Sequence, residues 1–515
     1  MSITIFLDQF SCWFMRVVLA ISSVIIVYSF FYISPYTKST YFLSLTLLFI
    51  FSMLLVICFS NLIFIMLGWD GLGLVSFFLI VYYQNPSSLF SGVFTLLINR
   101  IGDAFFLCSI VLYCYLLPDF FVLTSSNSSV LLTLFLILTF ITKRAIFPFS
   151  PWLPIAIAAP TPISALVHSS TLVTSGLFLM MKYSYVLYSS PDLMQILLVL
   201  CVFTSFYAGL NTFCETDYKK LIALSTLSHL GFIGIAFSIG LLNLSFFHLL
   251  THALFKSVLF MSIGEVIINI GHFQDMRHLS LGGSYTPFSC FIINISLLNL
   301  IGFPRLSGFL SKDLILESLN FTNCSFLVFY LNLLNLSFTF YYSFQLFYYS
   351  FQLSKLSPYS LVNPILNVHS CLVAFLSLTS LFFGSFFVSS FFLCLYPTVP
   401  FLYKIFPFSL LFLFFVFLLL NKRLWSSKSQ LLSLYFSSII FLFYFITRSS
   451  SNFYYKSSFW VSKSLELGLF NSMLNSKLPS AISCFSFFVL KWVLYSPFYI
   501  TFSSLTLVFL TFYFY

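Results

Sequence analysis

The segment Phe247-His248-Leu249-Leu250-Thr251-His252-Ala253-Leu254-Phe255-Lys256 places three ionisable side chains in sequence that is otherwise apolar enough for a membrane interior. On a helix, His248, His252 and Lys256 are four residues apart, so they stay roughly on one face and rise ~6 Å at each step. An ionisable side chain at the centre of a membrane helix costs about 2.5 to 3.5 kcal/mol, which argues against chance. Two interpretations remain open: a path for proton hopping, or hydrogen bonds between neighbouring helices.

The composition of the whole chain is that of a membrane protein. Of its 515 residues, 60% are hydrophobic and 7% are charged, and the mean hydropathy is +1.06. A membrane-spanning helix needs ~20 apolar residues, and the chain contains about fourteen such runs. The sequence therefore predicts an all-α polytopic membrane protein. The basic residues behind the net charge of +10 form no cluster with aromatic residues, so we expect no nucleic acid partner.

Cofactor motifs are missing from the sequence. The eleven cysteines are scattered singly through apolar runs without a C-x-x-C pair, and Cys behaves there as a small hydrophobe. There is also no glycine-rich nucleotide motif. We therefore expect neither a cofactor nor a metal in this chain. The first ten residues contain Asp8 and no Arg-rich amphipathic stretch, which predicts no targeting peptide.

Two acidic side chains fall inside predicted spans. Asp70 lies in Gly68-Trp69-Asp70-Gly71-Leu72-Gly73, where three glycines allow neighbouring helices to approach closely around one acid. The alternative is that Asp70 caps a helix at the membrane interface. The next span opens with Asn99-Arg100-Ile101-Gly102-Asp103, in which Arg100 and Asp103 are spaced to pair on one helix. That pair is either structural or functional.

One predicted span, at about 129–160, is broken by prolines directly after Lys143 and Arg144. Inside a membrane such a break survives only where the freed backbone is buried in protein or lines a cavity. Lys143 is therefore a candidate for a functional buried lysine. The alternative is a lysine that snorkels to the interface, which the adjacent Arg144 favours. Further along, His168 lies among Ser and Thr residues, which favour tight contact between helices.

A second predicted span is broken at Gly302, Pro304 and Gly308, just before Lys312 and Asp313. The predicted spans form two successive sets of five helices, and the broken helix is the fourth in each set. Because five is an odd number, the second set crosses the membrane in the opposite orientation to the first. Inverted repeats with broken helices at matching positions indicate an ion pathway near the midplane.

The predicted divisions of the chain follow from these repeats. They are an N-terminal helix at 1–40, repeats at 41–187 and 188–353, further spans at 354–450, a lateral amphipathic helix at 451–490 and a C-terminal anchor at 491–515.

Five segments carry a resemblance to a known family: residues 68–76, 99–103, 160–176, 248–256 and 308–313. They resemble the antiporter-like subunits of respiratory complex I, and the lateral helix followed by an anchor resembles the distal type, subunit 5. The resemblance implies that Asp70, where the family usually has Glu, pairs with Lys143. It also implies that the chain begins two helices later than the family, with fourteen spans instead of sixteen, and that Arg305 replaces an apolar residue.

From the residues and the resemblance together we predict a proton relay of nine side chains: Asp70, Asp103, Lys143, His168, His248, His252, Lys256, Lys312 and Asp313. Burial favours a neutral lysine and a nearby carboxylate favours a charged one, so a moving carboxylate would switch the proton affinity of Lys143. A pair ~4 Å apart is worth about 4 kcal/mol at an effective dielectric constant near 20.

The resemblance implies a proton-pumping NADH:ubiquinone oxidoreductase in the mitochondrial inner membrane. NADH, FMN, iron–sulfur clusters and ubiquinone would then be bound by other subunits. The expected partners are the other membrane-arm subunits, especially the neighbouring antiporter-like subunit 4, and lipids. The alternative is a cation/proton antiporter of the Mrp type, which works without a redox partner.

Overall fold

The computed structural model describes residues 5–33, 39–116, 127–213, 215–271, 273–276, 286–321, 326–351 and 368–391. These residues are almost entirely helical, as the apolar runs predict. The helices are α1 (Gln9–Ile33), α2 (Ser39–Cys58), α3 (Leu62–Ile80), α4 (Pro86–Leu116), α5 (Asn127–Arg144), α6 (Trp152–Ile155), α7 (Thr161–Lys182), α8 (Ser184–Tyr188), α9 (Pro191–Asn211), α10 (Tyr218–Ser238), α11 (Leu242–Asn269), α12 (Pro287–Ile301), α13 (Ser307–Phe321), α14 (Phe326–Phe351) and α15 (Val368–Phe391).

Nine helices among the described residues are long and apolar enough to cross a membrane. This confirms the all-α polytopic class. The predicted further spans beyond residue 391, the lateral helix and the C-terminal anchor lie outside the described residues. The total of about fourteen spans, the inverted repeats and the division of the chain therefore stay predictions.

Three helices form the centre of the bundle. The most apolar stretches of α7 and α11 are 100% buried inside the protein and that of α10 is 94% buried, whereas the other spans reach 33 to 50%. Helix α11 packs against α1, α7, α10, α12, α13 and α15. The segment Phe247–Lys256 lies on this helix, so protein rather than lipid surrounds its polar groups, and the cost of placing them in a membrane falls.

The helices are interrupted at both predicted positions. Helix α5 ends at Arg144, and Ala145 then takes a left-handed conformation with φ +58°. Helix α12 ends at Ile301, where Gly302 has φ +87°. The Asn299 side chain bridges this second break, because its Oδ1 accepts hydrogen bonds from the Gly308 N–H at 2.8 Å and the Ser307 hydroxyl at 3.0 Å. The freed backbone is thus satisfied by protein.

The glycines around Asp70 differ in how closely a neighbouring helix approaches them. A Cβ on Gly68 would lie 2.8 Å from the Ser52 carbonyl oxygen and 2.9 Å from the Val56 nitrogen, both in the backbone of α2. A Cβ on Gly73 would meet only the Cβ of Asn99, at 3.9 Å. Close approach of α3 to α2 therefore depends on Gly68, and Gly73 leaves room for a side chain.

Candidate functional site

Lys143 is fully buried in the last turn of α5. Its ammonium donates a hydrogen bond to the Trp69 carbonyl oxygen at 2.5 Å and lies 3.8 Å from the centroid of the Trp69 ring. The ammonium is thus stabilised by a hydrogen bond to a backbone carbonyl and by a cation–π contact with an aromatic ring. The alternative of a snorkelling lysine is therefore wrong for Lys143.

Asp70 does not form the predicted ion pair with Lys143. Its carboxylate is instead 3.9 Å from Arg100 Nη1, and Arg100 also approaches Asp103 at 3.4 Å. Neither Asp70 nor Asp103 lies within 4 Å of the Lys143 ammonium. The physical reason for the missing Asp70–Lys143 pair is position, because Lys143 is fully buried whereas the Asp70 side chain is 35% exposed on α3. The predicted ion pair is therefore wrong, and the pairing of Arg100 with Asp103 is confirmed.

His168 is buried in α7, where residues Ser164–Thr171 form a π-helical segment that the sequence did not predict. Its ring lies 6.3 Å from the Trp152 ring between centroids. The neighbouring hydroxyls of Ser170 and Thr171 both donate to the Leu166 carbonyl oxygen, at 3.0 and 2.7 Å. π-helical turns of this kind occur frequently at functional sites.

His248, His252 and Lys256 are all buried on α11. His248 Nδ1 is 2.8 Å from the Ser311 hydroxyl, which joins α11 to α13. The Lys256 ammonium donates to the Ser225 hydroxyl on α10. The three side chains therefore occupy one protein interior but reach different neighbouring helices.

Lys312 follows Ser311 on α13 and is also buried. Its ammonium donates to the Leu300 carbonyl oxygen at 2.5 Å, in the last turn of α12 before the break. Asp313 is half-buried. Arg305 lies exposed in the break itself, with φ +70°. Each break thus has a buried lysine that contacts a backbone carbonyl.

Sequence reasoning missed four buried polar residues. His229 and Tyr342 lie next to His248 and Lys256, and Arg144 is buried with its guanidinium donating to the Leu230 carbonyl oxygen. Glu265 is buried on α11. The sequence could have indicated His229, because Ser225, Ser228 and His229 share one helix face of an otherwise apolar run. In the sequence, Arg144 favoured the alternative of an interfacial Lys143, and the burial of Arg144 removes that support.

No three His, Cys, Asp or Glu side chains among the described residues are grouped as a metal site requires, although His229, His248 and His252 lie close together.

Residues 59–337 match the family described as NADH:quinone oxidoreductase/Mrp antiporter, TM. The chain belongs to this family. Among curated relatives, NADH-ubiquinone oxidoreductase chain 5 of Locusta migratoria is 44% identical over 67% of this chain and 61% of the relative. The same chain of Anopheles arabiensis is 45% identical over 61% of this chain and 83% of the relative. The chain spans about three fifths of the length of the first curated relatives that it matches.

Two solved structures show the fold of this antiporter family. The Mrp complex from Dietzia sp. DQ12-45-1b has a TM-score of 0.73 at 21% identity, over 93% of this chain and 55% of the Mrp chain. An archaeal membrane-bound sulfane sulfur reductase has a TM-score of 0.67 at 20% identity, over 75% of this chain and 81% of the reductase chain. Both likenesses concern the helical architecture.

Proposed function

We propose that this chain is the subunit 5 type of antiporter-like subunit in respiratory complex I, and that it translocates protons across the mitochondrial inner membrane. The observation that carries the proposal is the set of buried lysines and histidines, with His168, His248, His252 and Lys256 on the central helices and one lysine at each helix break. The curated chain 5 relatives support the assignment to the NADH:ubiquinone oxidoreductase. Redox energy then comes from NADH, FMN, iron–sulfur clusters and ubiquinone in other subunits.

In the first part of the proposed relay, nearby charged side chains control the protonation of Lys143. Lys143 loses hydration by burial, which favours its neutral form, and Asp103 and Asp70 attract its charged form. A shift of Asp103 toward Arg100 weakens that attraction, because Arg100 neutralises the carboxylate. The proton then leaves Lys143 in the direction of His168. Asp103 is thus the principal partner of Lys143, and Asp70 tunes the position of Arg100.

The second part of the proposed relay runs through His248, His252 and Lys256 to Lys312. His248 contacts Ser311, the residue before Lys312, so the proton can cross from α11 to α13 at this point. Asp313 lies next to Lys312 in sequence and points about 100° away on the helix, where it lowers the electrostatic cost of a charge on Lys312. Lys312 is therefore the proposed exit station.

The proposed partners are other membrane-arm subunits, with subunit 4 against the face of α3 and α4. Helix α4 has the smallest buried share of the nine spans, 33%, although its hydropathy of 1.6 is close to that of the central helices. On this face the Arg100 and Asp70 side chains are 43% and 35% exposed. Half-exposed charges at membrane depth are costly against lipid, so a covering protein surface is favoured. Lipid contacts the remaining apolar faces.

The test uses complexes reconstituted into vesicles, with NADH oxidation and proton uptake measured together. Replacing Lys256 by Ala should leave NADH oxidation in place and lower the number of protons translocated per electron. A wild-type ratio in Lys256→Ala would contradict the proposed function. The assignment to the complex is tested separately, because the chain should copurify with NADH-oxidising activity.

The second candidate is an Mrp-type antiporter subunit, which the likeness to the Mrp complex favours. Such a protein would exchange cations for protons without NADH. Cation-driven proton movement in vesicles that hold the chain and lack NADH-oxidising subunits would support it, and its absence would leave complex I.

A further inference from the structure

We propose that His229 on α10 and Tyr342 on α14 are members of the proton relay, and that they connect His248 to Lys256 in place of a direct path along α11. This inference rests on the proposed function and assigns two further residues to it. Both side chains are buried, and both lie on helices other than the one that carries the predicted relay.

The direct path along α11 has a gap. His248 and Lys256 are eight residues apart, a rise of ~12 Å, and His252 is the only predicted station between them. Both ring nitrogens of His252 lack a hydrogen-bond partner among the described residues. Its ring lies 6.5 Å from that of His248 between centroids. A proton on this path would have to leave the hydrogen-bonded side chains.

A hydrogen-bonded path closes the same gap through neighbouring helices. His229 Nδ1 is 3.4 Å from His248 Nε2, and His229 Nε2 is 3.2 Å from the Tyr342 hydroxyl. The Lys256 ammonium donates to the Ser225 hydroxyl and lies 5.8 Å from the centroid of the Tyr342 ring. Hydrogen bonds therefore join His248 to Tyr342 through His229, and Lys256 to Ser225, and rotation of the Ser225 hydroxyl toward Tyr342 joins the two halves of the path.

The protons balance along this path. Lys256 gives a proton to the Ser225 oxygen, Ser225 gives its own to Tyr342, and Tyr342 gives its own to His229 Nε2. His229 then releases the proton on Nδ1 to His248 Nε2. Lys256 has lost one proton, His248 has gained one, and the three groups between them are neutral before and after.

The tautomers that this path requires agree with the other contacts. His248 Nε2 must accept, so its proton lies on Nδ1, which faces the Ser311 oxygen at 2.8 Å. The Ser225 hydroxyl has a second acceptor, the Ile222 carbonyl oxygen at 2.6 Å. Rotation of this hydroxyl between Ile222 and Tyr342 opens and closes the path, which makes Ser225 its gate.

His252 has a different part in this arrangement. Its ring lies 5.6 Å from the His229 ring between centroids, at an angle of 38°. It therefore packs against His229 and helps to fix the plane of that ring. The sequence spacing on α11 predicts His252 as a member of the relay, whereas the proposed hydrogen-bonded path runs beside it.

The test compares Tyr342→Phe, which keeps the ring and removes the hydroxyl, and His229→Gln, which keeps polarity and removes the proton-accepting ring nitrogen. Tyr341→Phe is the matched control, because Tyr341 is the preceding residue of α14 and its ring packs on Phe213. All are measured in the intact reconstituted complex beside Lys256→Ala. Protons per electron and thermal stability are both recorded.

Both relay variants should lower the proton-to-electron ratio to the Lys256→Ala value at unchanged thermal stability, and Tyr341→Phe should keep the wild-type ratio. A wild-type ratio in either relay variant, with Lys256→Ala defective, would overturn this path and leave the proposed function standing. A ratio that falls only together with thermal stability would also overturn it. A wild-type ratio in Lys256→Ala itself would remove the proposed function as well.

Discussion

The surroundings of Lys143 and of Lys256 differ in what holds the ammonium group. The Lys143 ammonium contacts the carbonyl oxygen and ring of Trp69, and a network of the charged side chains Asp70, Arg100 and Asp103 lies on α3 and α4. Around Lys256 the polar groups are hydroxyls and imidazoles on α10, α11 and α14. In the proposed relay, the first region alters the proton affinity of its lysine by moving a charge, and the second passes a proton between neutral groups.

The two regions also differ in depth. The Arg100 side chain is half-exposed on the outer face of α4, whereas His229, His248 and Tyr342 lie in the centre of the bundle. A charge network at the surface is open to influence from a neighbouring protein. A network at the centre is shielded from a neighbouring protein, so in the proposed relay control and conduction are separated in space.

The largest expected effect comes from Lys312→Arg, which extends the comparison to the end of the relay. Arginine keeps the charge but does not release its proton, so translocation through this chain should stop although NADH oxidation continues. The measurement is the proton-to-electron ratio of the reconstituted complex. Lys220→Arg is the control, because Lys220 is a half-exposed lysine paired with Asp217 at 2.9 Å. Equal ratios in both variants would contradict the assignment of Lys312.

The next effect separates the two carboxylates near Lys143. Asp103 is the buried one of the two carboxylates, and a lost charge interaction of about 1.4 kcal/mol corresponds to one pKa unit, so Asp103→Asn should slow translocation more than tenfold. An exposed ion pair contributes about 0 to 1 kcal/mol, so Asp70→Asn should slow it less than about fivefold. Initial rates of proton uptake measure both. Asp103→Glu, which keeps the charge, is the control, and a larger effect of Asp70→Asn would restore the pairing predicted from sequence.

The sequence predicted the spans well because hydropathy acts over whole helices. The N-terminal helix expected within residues 1–40 is Gln9–Ile33 in the structure, and the segment Phe247–Lys256, expected on one helix, lies within Leu242–Asn269. The breaks were also predictable, since Pro and Gly act on the backbone locally. Both successes rest on properties of consecutive residues.

Contacts between distant residues were not predictable in the same way. Asp70 was expected to face Lys143, but the direction of a side chain on α3 depends on how α3 packs against α4. His229 meets Tyr342 across 113 residues of sequence, so no local pattern reveals the pair. The π-helical segment at Ser164–Thr171 differs from an ordinary helix by one residue per turn, which composition does not register.

A smaller effect concerns the helix contact that positions the charge network. Gly68→Ala would force a methyl group against the backbone of α2, and overpacking of this kind costs about 1 to 3 kcal/mol. Gly73→Ala has room for its methyl group and should change stability by less than about 0.5 kcal/mol. Retention of the chain in the complex on heating in mild detergent measures both. Equal loss in the two variants would show that the α2–α3 contact does not limit stability.

The smallest effect compares the two breaks. Arg305 and Ala145 both have positive φ, which costs a residue other than glycine roughly 1 to 2 kcal/mol. Arg305 is exposed, so Arg305→Gly should stabilise the complex by about 0.5 to 1 kcal/mol after the added chain entropy is counted. Ala145→Gly should increase the stability by less, because it also removes a buried methyl group that contributes about 0.8 kcal/mol. Thermal midpoints of the two variants test the order.

The π-helical segment at Ser164–Thr171 sets the rotational phase of everything that follows it in α7. Each residue added to or removed from a helix turns the remainder by about 100°. Removal of one residue here would turn Gly176 away from the Phe140 carbonyl oxygen, which it approaches closely, and would turn Lys182 away from the carbonyl oxygens of Ile57 and Phe59 at the end of α2. This stretch therefore tolerates exchange of side chains far better than a change of length.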